Sequence, residues 1–483
     1  MISGSGKLSV TEKIGYSLGD LAANLVFQTL VTYLAFFYTD IYGLKPEDAS
    51  IITLVVGLIA GFGFNPFIGA IADRTRSKWG KFRPWILFTA IPLGICALLA
   101  FSTPDFSYKG KMMYAAATYS LLLLLYAANN LPYAALSGVI TGDMRERNSL
   151  SSYRFVAVMF AQFFVQVFML PIILSVGKGD KAAGIEAVMT WLAIIGTVML
   201  LITFLTTRER VIPTAEQESS LKNDLKDLIG NRPWVIMLLV TTFIFITLAM
   251  KGGSYVYYFN NYVDETSLKH FIAPITGFFN SIGMNFFGED PKSAGFGLFN
   301  AGGIIMMIIG ITFSKKFADK YGKRDVFLTS LFISTLFVLF FVFYPPQSVR
   351  LMFLSQILHG FFYGISTPIL WAMIADVADY SEWKNNRRAT AIIFSAMMVG
   401  LKVGLSVGSA LVASIIGRYG YISSKATQVV TQPETVATGA KMLVSVFPAI
   451  PFLLACGLLL FYSINKKMET QIEADLNAKR NKS

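Results

Sequence analysis

Long apolar runs are the feature of this sequence that most constrains its fold. Twelve stretches follow one another, each near the roughly 20 residues that a helix needs to cross a bilayer. They occupy residues 17–38, 49–71, 84–101, 112–136, 150–174, 185–205, 234–258, 294–313, 326–344, 351–375, 391–416 and 442–465. These continuous runs lack the alternation of barrel strands, so we expect helices. The predicted fold is all-α and integral to a membrane.

Composition excludes the main alternatives. Of 483 residues, 54% are hydrophobic and 14% are charged, whereas a soluble domain carries about 25% charged residues. The two cysteines, Cys96 and Cys456, lie in apolar runs and imply no disulfide framework. No phosphate-binding glycine loop, Cys/His metal cluster or nucleophile–base pair stands out, so we expect neither an enzyme nor a bound cofactor or metal.

The distribution of Lys and Arg predicts the orientation. The net charge is +12, which in a soluble protein would suggest nucleic acid. Here the loops on the side of both termini carry most of the basic residues, and such an excess marks the cytoplasmic face of a membrane protein. We therefore expect a multi-pass protein of the cytoplasmic (inner) membrane, with both termini inside, no nucleic-acid partner and a functional monomer.

The chain has the marks of an internal duplication. An aspartate followed by a basic residue closes span 2 at 73–74 and recurs six spans later at 319–320, and spans 4 and 10 carry Pro132 and Pro368. Such repeats are typical of alternating-access transporters. The predicted organisation is two pseudo-symmetric six-helix bundles, 1–205 and 233–465, joined by a cytoplasmic linker at 206–232, with an extended outer loop at 259–292 and a cytoplasmic tail at 466–483.

Lys402 is the charged residue nearest to the middle of a span. Gly400, Gly404 and Gly408 surround it, and their spacing of four places them on one helical face where another helix can approach closely. A charge near the bilayer centre costs at least ~2.5–3.5 kcal/mol, so a cavity role for Lys402 is favoured over snorkelling.

Three other charged residues within spans are candidates for a site. Asp20 has Asn24 one turn further along span 1, Arg154 lies just inside span 5, and Lys251 lies in the outer half of span 7. Each has a structural alternative to a substrate-binding role: an interhelical hydrogen bond for Asp20 with Asn24, a cytoplasmic anchor for Arg154 and outward snorkelling for Lys251.

Amide and aromatic side chains extend the candidate site. Asn65 and Asn130 lie beside helix prolines, where an amide can bind sugar hydroxyls or satisfy loosened backbone. Tyr133 and Trp371 are candidates for stacking on a sugar ring. His359 is a candidate proton relay, although a lone histidine in a span is more often packed and hydrogen-bonded.

Charged loop residues predict a cytoplasmic gate. Its members are Asp73, Arg74, Asp319, Lys320, Asp376, Asp379 and Arg388. Ion pairs among them could hold the helix ends together in one state and part in the other. Because exposed pairs contribute only ~0–1 kcal/mol each, a network is needed.

Five motifs together match a known family. They are Gly19-Asp20 with Asn24, Tyr38-Thr39-Asp40, the stretch 73–85 (DRTRSKWGKFRPW), the stretch 375–382 (ADVADYSE), and Lys402 with its glycines. This combination resembles the glycoside–pentoside–hexuronide:cation symporter family, the melibiose-permease-like branch of the major facilitator superfamily. The resemblance implies a twelve-helix fold of two bundles and sugar uptake driven by H⁺, Na⁺ or Li⁺.

The resemblance also implies site residues. Positions that bind sugar in the family match Asn24, Asn130 and Arg154, and the family's helix 11 lysine matches Lys402. The helix 2 aspartates that hold the family's cation match Gly61 and Asn65. This sequence therefore lacks the carboxylates that a hard cation prefers.

The pattern of substitutions suggests a substrate class. Arg154 and Lys402 remain, with Lys251 as a further candidate, while Asp20 alone opposes them. A net-positive site in a low dielectric favours an anionic sugar such as a hexuronide. We expect a symporter with Asp20 as coupling group, His359 as second candidate and Asn65 as a further ion-coupling candidate. The alternatives are an uncoupled sugar facilitator, a lipid or lysolipid carrier, and a non-transporting sensor or scaffold.

Overall fold

The computed structural model describes residues 7–141, 143–210, 230–287, 289–385, 390–424 and 430–480. These residues form helices joined by turns, and no β-strand occurs among them. Twelve helical segments within these ranges are long and apolar enough to cross a membrane. The predicted number of spans and the all-α membrane class are therefore confirmed.

The first half of the chain is built from eight described helices. Helices α1 to α8 are Val10–Phe36, Pro46–Ile59, Asn65–Arg74, Arg83–Ala100, Tyr108–Ile140, Met144–Val167, Met169–Gly177 and Lys181–Thr206. The π-helical turns Phe37–Ile41 and Ala60–Phe64 extend α1 and join α2 to α3. Ser9, Ser107 and Asp180 cap α1, α5 and α8 by accepting backbone N–H bonds. The predicted fifth span is two helices, because α6 and α7 are broken at Phe168.

The second half continues with nine described helices. Helices α9 to α17 are Arg232–Asn261, Glu265–Ser281, Pro291–Tyr321, Lys323–Leu339, Val349–Asn385, Thr390–Arg418, Glu434–Val444, Val446–Leu460 and Lys466–Arg480. Short 3₁₀ turns occur at Asn285–Phe287 and Phe340–Phe343. The segment predicted as an extended outer loop, 259–292, is largely helical: α10 buries Leu268 and Ile272 and exposes Ile275 and Phe278.

The described residues pack as two units. The first unit comprises those within 1–216, 274–297 and 420–432, and the second comprises those within 217–273, 298–419 and 433–483. In the first unit α1 packs against α6 and α8, and α4 packs against α5 and α8. In the second unit α9 packs against α14 and α16, and α12 packs against α13 and α16.

Two segments from the second half of the sequence belong to the first unit. In 274–297, Phe287 packs edge-on against Phe168, with ring centroids 5.8 Å apart. In 420–432, the Tyr421 hydroxyl donates to Asp40, and the Ser424 amide donates to the Thr39 carbonyl at 3.0 Å. Sequence order alone does not assign these segments to the first unit.

A glycine seam joins α14 to α9 in the second unit. A Cβ added at Gly404 would lie 2.5 Å from the Thr242 carbonyl oxygen, and one at Gly408 would lie 2.4 Å from the Ile246 carbonyl oxygen. Real Cβ atoms do not approach backbone this closely, so only glycine fits. The close helix approach predicted from the spacing of four is confirmed.

Candidate functional site

Polar residues of α1 and α6 meet inside the first unit. The Arg154 Nε donates to Asp20 Oδ2 at 2.8 Å. The Asn24 amide donates to Asp20 Oδ1 at 3.2 Å and to the Asp20 backbone carbonyl at 2.9 Å. Both carboxylate oxygens of Asp20 are therefore engaged by neighbouring helical side chains.

Two tyrosines support the Arg154 guanidinium. The rings of Tyr16 and Tyr133 stack with centroids 4.6 Å apart. Each hydroxyl donates to the other residue's backbone carbonyl, at 3.0 Å from Tyr16 and 2.7 Å from Tyr133. The guanidinium carbon lies 5.7 Å and 5.4 Å from the two ring centroids, within cation–π range. Tyr133 is only 1% exposed, so the structure places it beneath Arg154.

The outer edge of Arg154 is open. The side chain is 28% exposed, whereas that of Asp20 is 8% exposed. Within the described residues the terminal nitrogens Nη1 and Nη2 have no acceptor, and neither atom is sealed from solvent. A guanidinium held by Nε presents these two nitrogens as a fork that matches a carboxylate.

The candidate amides have different surroundings. Asn65 donates to the Gly61 carbonyl at 3.4 Å, across the π-helical turn, which is the backbone-satisfying alternative named above. Asn130 is half-buried on α5, one turn before Tyr133, and its amide makes no hydrogen bond with described residues. Over the described ranges, no group of three or more His, Cys, Asp or Glu side chains could hold a metal ion.

A second buried polar cluster lies in the second unit. The Lys251 Nζ on α9 contacts Nε2 of His359 on α13. The His359 Nδ1 lies 2.8 Å from the Ser334 hydroxyl and 3.1 Å from the Ser334 carbonyl oxygen. Lys251 is 8% exposed and His359 is 5% exposed. Two residues predicted for different roles are thus direct partners.

Lys402 and Trp371 stand apart from that cluster. Lys402 is half-buried on α14, and its ammonium makes no hydrogen bond or ion pair with the described residues. It lies about 200° around the helix from Gly400, away from the glycine seam. Trp371 is half-buried on α13 and packs against the apolar core of the second unit.

Ion pairs occur in the second unit at the helix ends that are rich in Lys and Arg. The Lys323 Nζ lies 2.7 Å from Asp376 Oδ1 and 2.7 Å from Glu469 Oε1 of α17. These three residues and Asp379 line a cavity of about 330 Å³. The exposed side chains of Asp319 and Lys320 make no ion pair with the described residues. The two backbone carbonyls instead accept hydrogen bonds from Lys466, both at 2.9 Å.

The other predicted gate residues are only partly described. Arg74 is exposed at the end of α3. Asp73 lies in the same helix, and Arg388 lies outside the described residues. Sequence reasoning missed Glu209, whose carboxylate accepts the backbone N–H groups of residues 81, 82 and 83 at 2.8, 2.7 and 3.0 Å. An acid facing a helix N-terminus is the signal that could have found it.

The first unit has its own ion pairs outside the candidate site. The Arg210 guanidinium donates two hydrogen bonds to the Glu12 carboxylate, at 2.6 and 2.9 Å, and this hydrogen bonding raises the pKa of Arg210. Lys13 bonds Glu146 at 2.8 Å and lowers the pKa of that carboxyl.

Within the described residues, twelve helical segments are apolar and long enough to cross a membrane, and some of them carry buried charged side chains. These two features define the class of this molecule: a polytopic membrane protein organised for transport. The family described as MFS/sugar transport protein matches residues 15–289 and 275–466. The chain belongs to this family, in its melibiose-permease-like branch, and the major facilitator fold is confirmed.

Similar proteins cover nearly the whole chain. The inner membrane symporter YicJ of Escherichia coli is 35% identical over 93% of this chain and 90% of its own length. The putative glycoside/cation symporter YagG of the same organism is 33% identical over 97% and 94%. The glucuronide carrier protein homolog of Escherichia coli is 26% identical over 98% and 97%.

A solved structure shares the fold. A proton-dependent oligopeptide transporter superposes with a TM-score of 0.63 at 13% identity, over 94% of this chain and 98% of that chain. At this identity the likeness concerns the fold alone.

Proposed function

We propose that this protein is a secondary active symporter that moves an anionic glycoside across the inner membrane by alternating access. The coupling ion is H⁺ or Na⁺, both termini are cytoplasmic, and the monomer is the working unit. One observation carries the substrate class: the guanidinium of Arg154 is anchored through Nε while its two terminal nitrogens remain open.

The open fork favours a substrate with a carboxylate. Paired N–H···O bonds from a guanidinium to a carboxylate are short, directional and strong. Asn24 and Asn130 offer amides that can both donate to and accept from sugar hydroxyls. In this proposal Tyr133 acts through Arg154, because its ring and hydroxyl are already engaged by Tyr16.

Residues of the second unit extend the proposal. Lys402 has an ammonium without a bond to described residues, and the resemblance to the melibiose-permease-like family supports a substrate contact for it. Trp371 remains a proposed ring-stacking contact. The names of two relatives support a charged glycoside as substrate: one is a putative glycoside/cation symporter and another a glucuronide carrier homolog.

In this proposal, the ion pairs at the Lys- and Arg-rich helix ends switch the transporter between its two states. Lys323 bridges Asp376 and Glu469, and it takes the role predicted for Lys320. Asp73, Arg74, Asp319, Asp379 and Arg388 remain proposed gate residues. Networks of this kind stabilise one arrangement of packed helices over another.

An uncoupled facilitator is the second candidate function. Gly61 and Asn65 stand where the family places cation-binding carboxylates, and Asn65 bonds only to the Gly61 carbonyl among the described residues. A facilitator would take up substrate at the same rate after the ion gradients are collapsed.

Purified protein in liposomes tests both candidates. Labelled uronides and neutral glycosides are offered under imposed H⁺ or Na⁺ gradients, with exchange measured without a gradient. We expect uphill accumulation of the uronide, lost in Arg154→Gln and partly kept in Arg154→Lys. Strong transport of neutral sugars that Arg154→Gln leaves unchanged would refute the anionic substrate.

A further inference from the structure

The Lys251–His359 cluster is a pair of buried titratable side chains that the proposed substrate site does not use. Its hydrogen bonds define the tautomer of the histidine. The Ser334 carbonyl oxygen can only accept, and it lies 3.1 Å from Nδ1, so Nδ1 carries the hydrogen. The Nε2 atom is then the acceptor for the Lys251 Nζ.

Lys251 and His359 can together carry only one positive charge in this arrangement. While Lys251 is an ammonium, a proton added to Nε2 would set two N–H groups against each other and place two like charges in contact in a low dielectric. The pair therefore alternates between an ammonium and an amine on Lys251, each of which can donate to Nε2. The occupied state has one proton more than the empty state.

Within the described residues, no acidic side chain contacts this charge. From α9 the Tyr255 ring lies 5.6 Å from the Lys251 ammonium, and from α13 the Tyr363 ring stacks on His359 at 5.8 Å. From α12 the neighbour is Ser334. Helices α14, α15 and α16 also pack against α9, yet within the described residues they bring no ionisable side chain into contact with either base. A cation buried without an acid is costly, so closed surroundings favour the neutral amine, whereas contact with water stabilises the ammonium.

We propose that the Lys251–His359 pair binds the coupling proton of this transporter. Nζ takes up a proton from water when the conformational change opens the pair to water. When the pair closes again into the buried surroundings seen here, the proton passes from the ammonium to a departing water molecule and leaves the amine hydrogen-bonded to Nε2. This inference rests on the proposed transport function. It assigns proton coupling to this pair rather than to Asp20, and it removes Lys251 from the candidate substrate contacts.

Proteoliposomes with an imposed pH step test the proposal. A step of about one unit supports about tenfold accumulation of substrate for each coupled proton. We expect this ratio for the wild type and a ratio near one for His359→Gln and Lys251→Arg, because a guanidinium does not release its proton. Substrate exchange without a gradient should persist in both variants, which a merely structural role would not predict.

The chain offers matched controls. His270, the other histidine of the chain, and Lys269 are exposed neighbours on α10, so His270→Gln and Lys269→Arg should accumulate substrate as the wild type does. Full accumulation by Lys251→Arg and His359→Gln would overturn the proposal.

A measurement on the wild type covers the case in which the variants do not fold. Substrate uptake is followed in weakly buffered liposomes with a pH indicator outside. Uptake should be accompanied by alkalinisation, and uptake without it overturns the proton site while leaving the transporter intact. Absence of both uptake and exchange for every glycoside tested contradicts the proposed function instead.

Discussion

Arg154 in the first unit and Lys251 in the second are two cations placed inside helices in opposite ways. Arg154 has the Asp20 carboxylate at 2.8 Å, two tyrosine rings beneath it and an open outer edge. Lys251 has a histidine as partner, no acid among the described residues, and little exposure. A guanidinium keeps its charge and so requires a counter-ion, whereas an amine can lose its proton. The first arrangement suits anion binding and the second suits proton exchange.

Arg154→Gln should give the largest effect and tests the first half of this comparison. Losing charge-assisted bonds to a carboxylate, about 1.5–3 kcal/mol, lowers uptake of an anionic glycoside by about a hundredfold. Initial rates over a range of uronide concentrations measure it. Arg154→Lys keeps the charge without the fork and should lose less. An equal loss for neutral and anionic substrates would show that the open edge does not select charge.

Gly404→Ala tests the close packing of α14 against α9, the helix that carries Lys251. The added methyl group meets the Thr242 carbonyl, and overpacking of this kind costs about 1–3 kcal/mol. The thermal midpoint of the protein in detergent should fall. Gly457→Ala is the matched control, since nothing lies within 4 Å of its added Cβ, and equal midpoints for both variants would contradict the close packing.

Asp20→Asn tests most directly whether substrate binding at Arg154 and proton coupling at Lys251 are independent. The substitution frees the Arg154 Nε from its charged partner, and an anionic substrate should then bind about tenfold more tightly. Equilibrium binding of a labelled uronide measures this gain. Proton-driven accumulation should persist. If accumulation is abolished while exchange is spared, Asp20 carries the coupling ion and the proton site assigned to Lys251 is wrong.

Lys323→Gln should have the smallest effect on stability. Lys323 is 27% exposed, and partly exposed ion pairs contribute about 0–1 kcal/mol. The thermal midpoint should change little, and that small change should vanish at high salt. Lys320→Gln is the control, because Lys320 makes no ion pair with the described residues. A large, salt-independent loss would show that Lys323 is part of the fold rather than of a gate.

Periodicity and composition were enough to predict the membrane class, the twelve spans and the glycine seam. These features follow from local patterns, since a span needs only length and apolarity, and a seam needs only glycines at a spacing of four. The motifs at 73–85 and 375–382 also led to the correct family.

The pairing of the charged residues was beyond the reach of the sequence. Arg154 and Asp20 are separated by 134 residues, and each was singled out without its partner. Lys251 and His359 were given unrelated roles for the same reason. Asp319 and Lys320 are both predicted gate residues, yet neither makes an ion pair with the described residues. Two ion pairs of the second unit form at Lys323.

The hydrogen bond from Tyr421 to Asp40 has a consequence for biogenesis. Asp40 belongs to the turn that extends the first helix, but its buried carboxylate obtains this donor only after some 380 further residues have left the ribosome. After synthesis of the amino-terminal half the first unit is therefore incomplete, because Asp40 still lacks its hydrogen bond from Tyr421. Completion of that unit belongs to a late stage of membrane insertion.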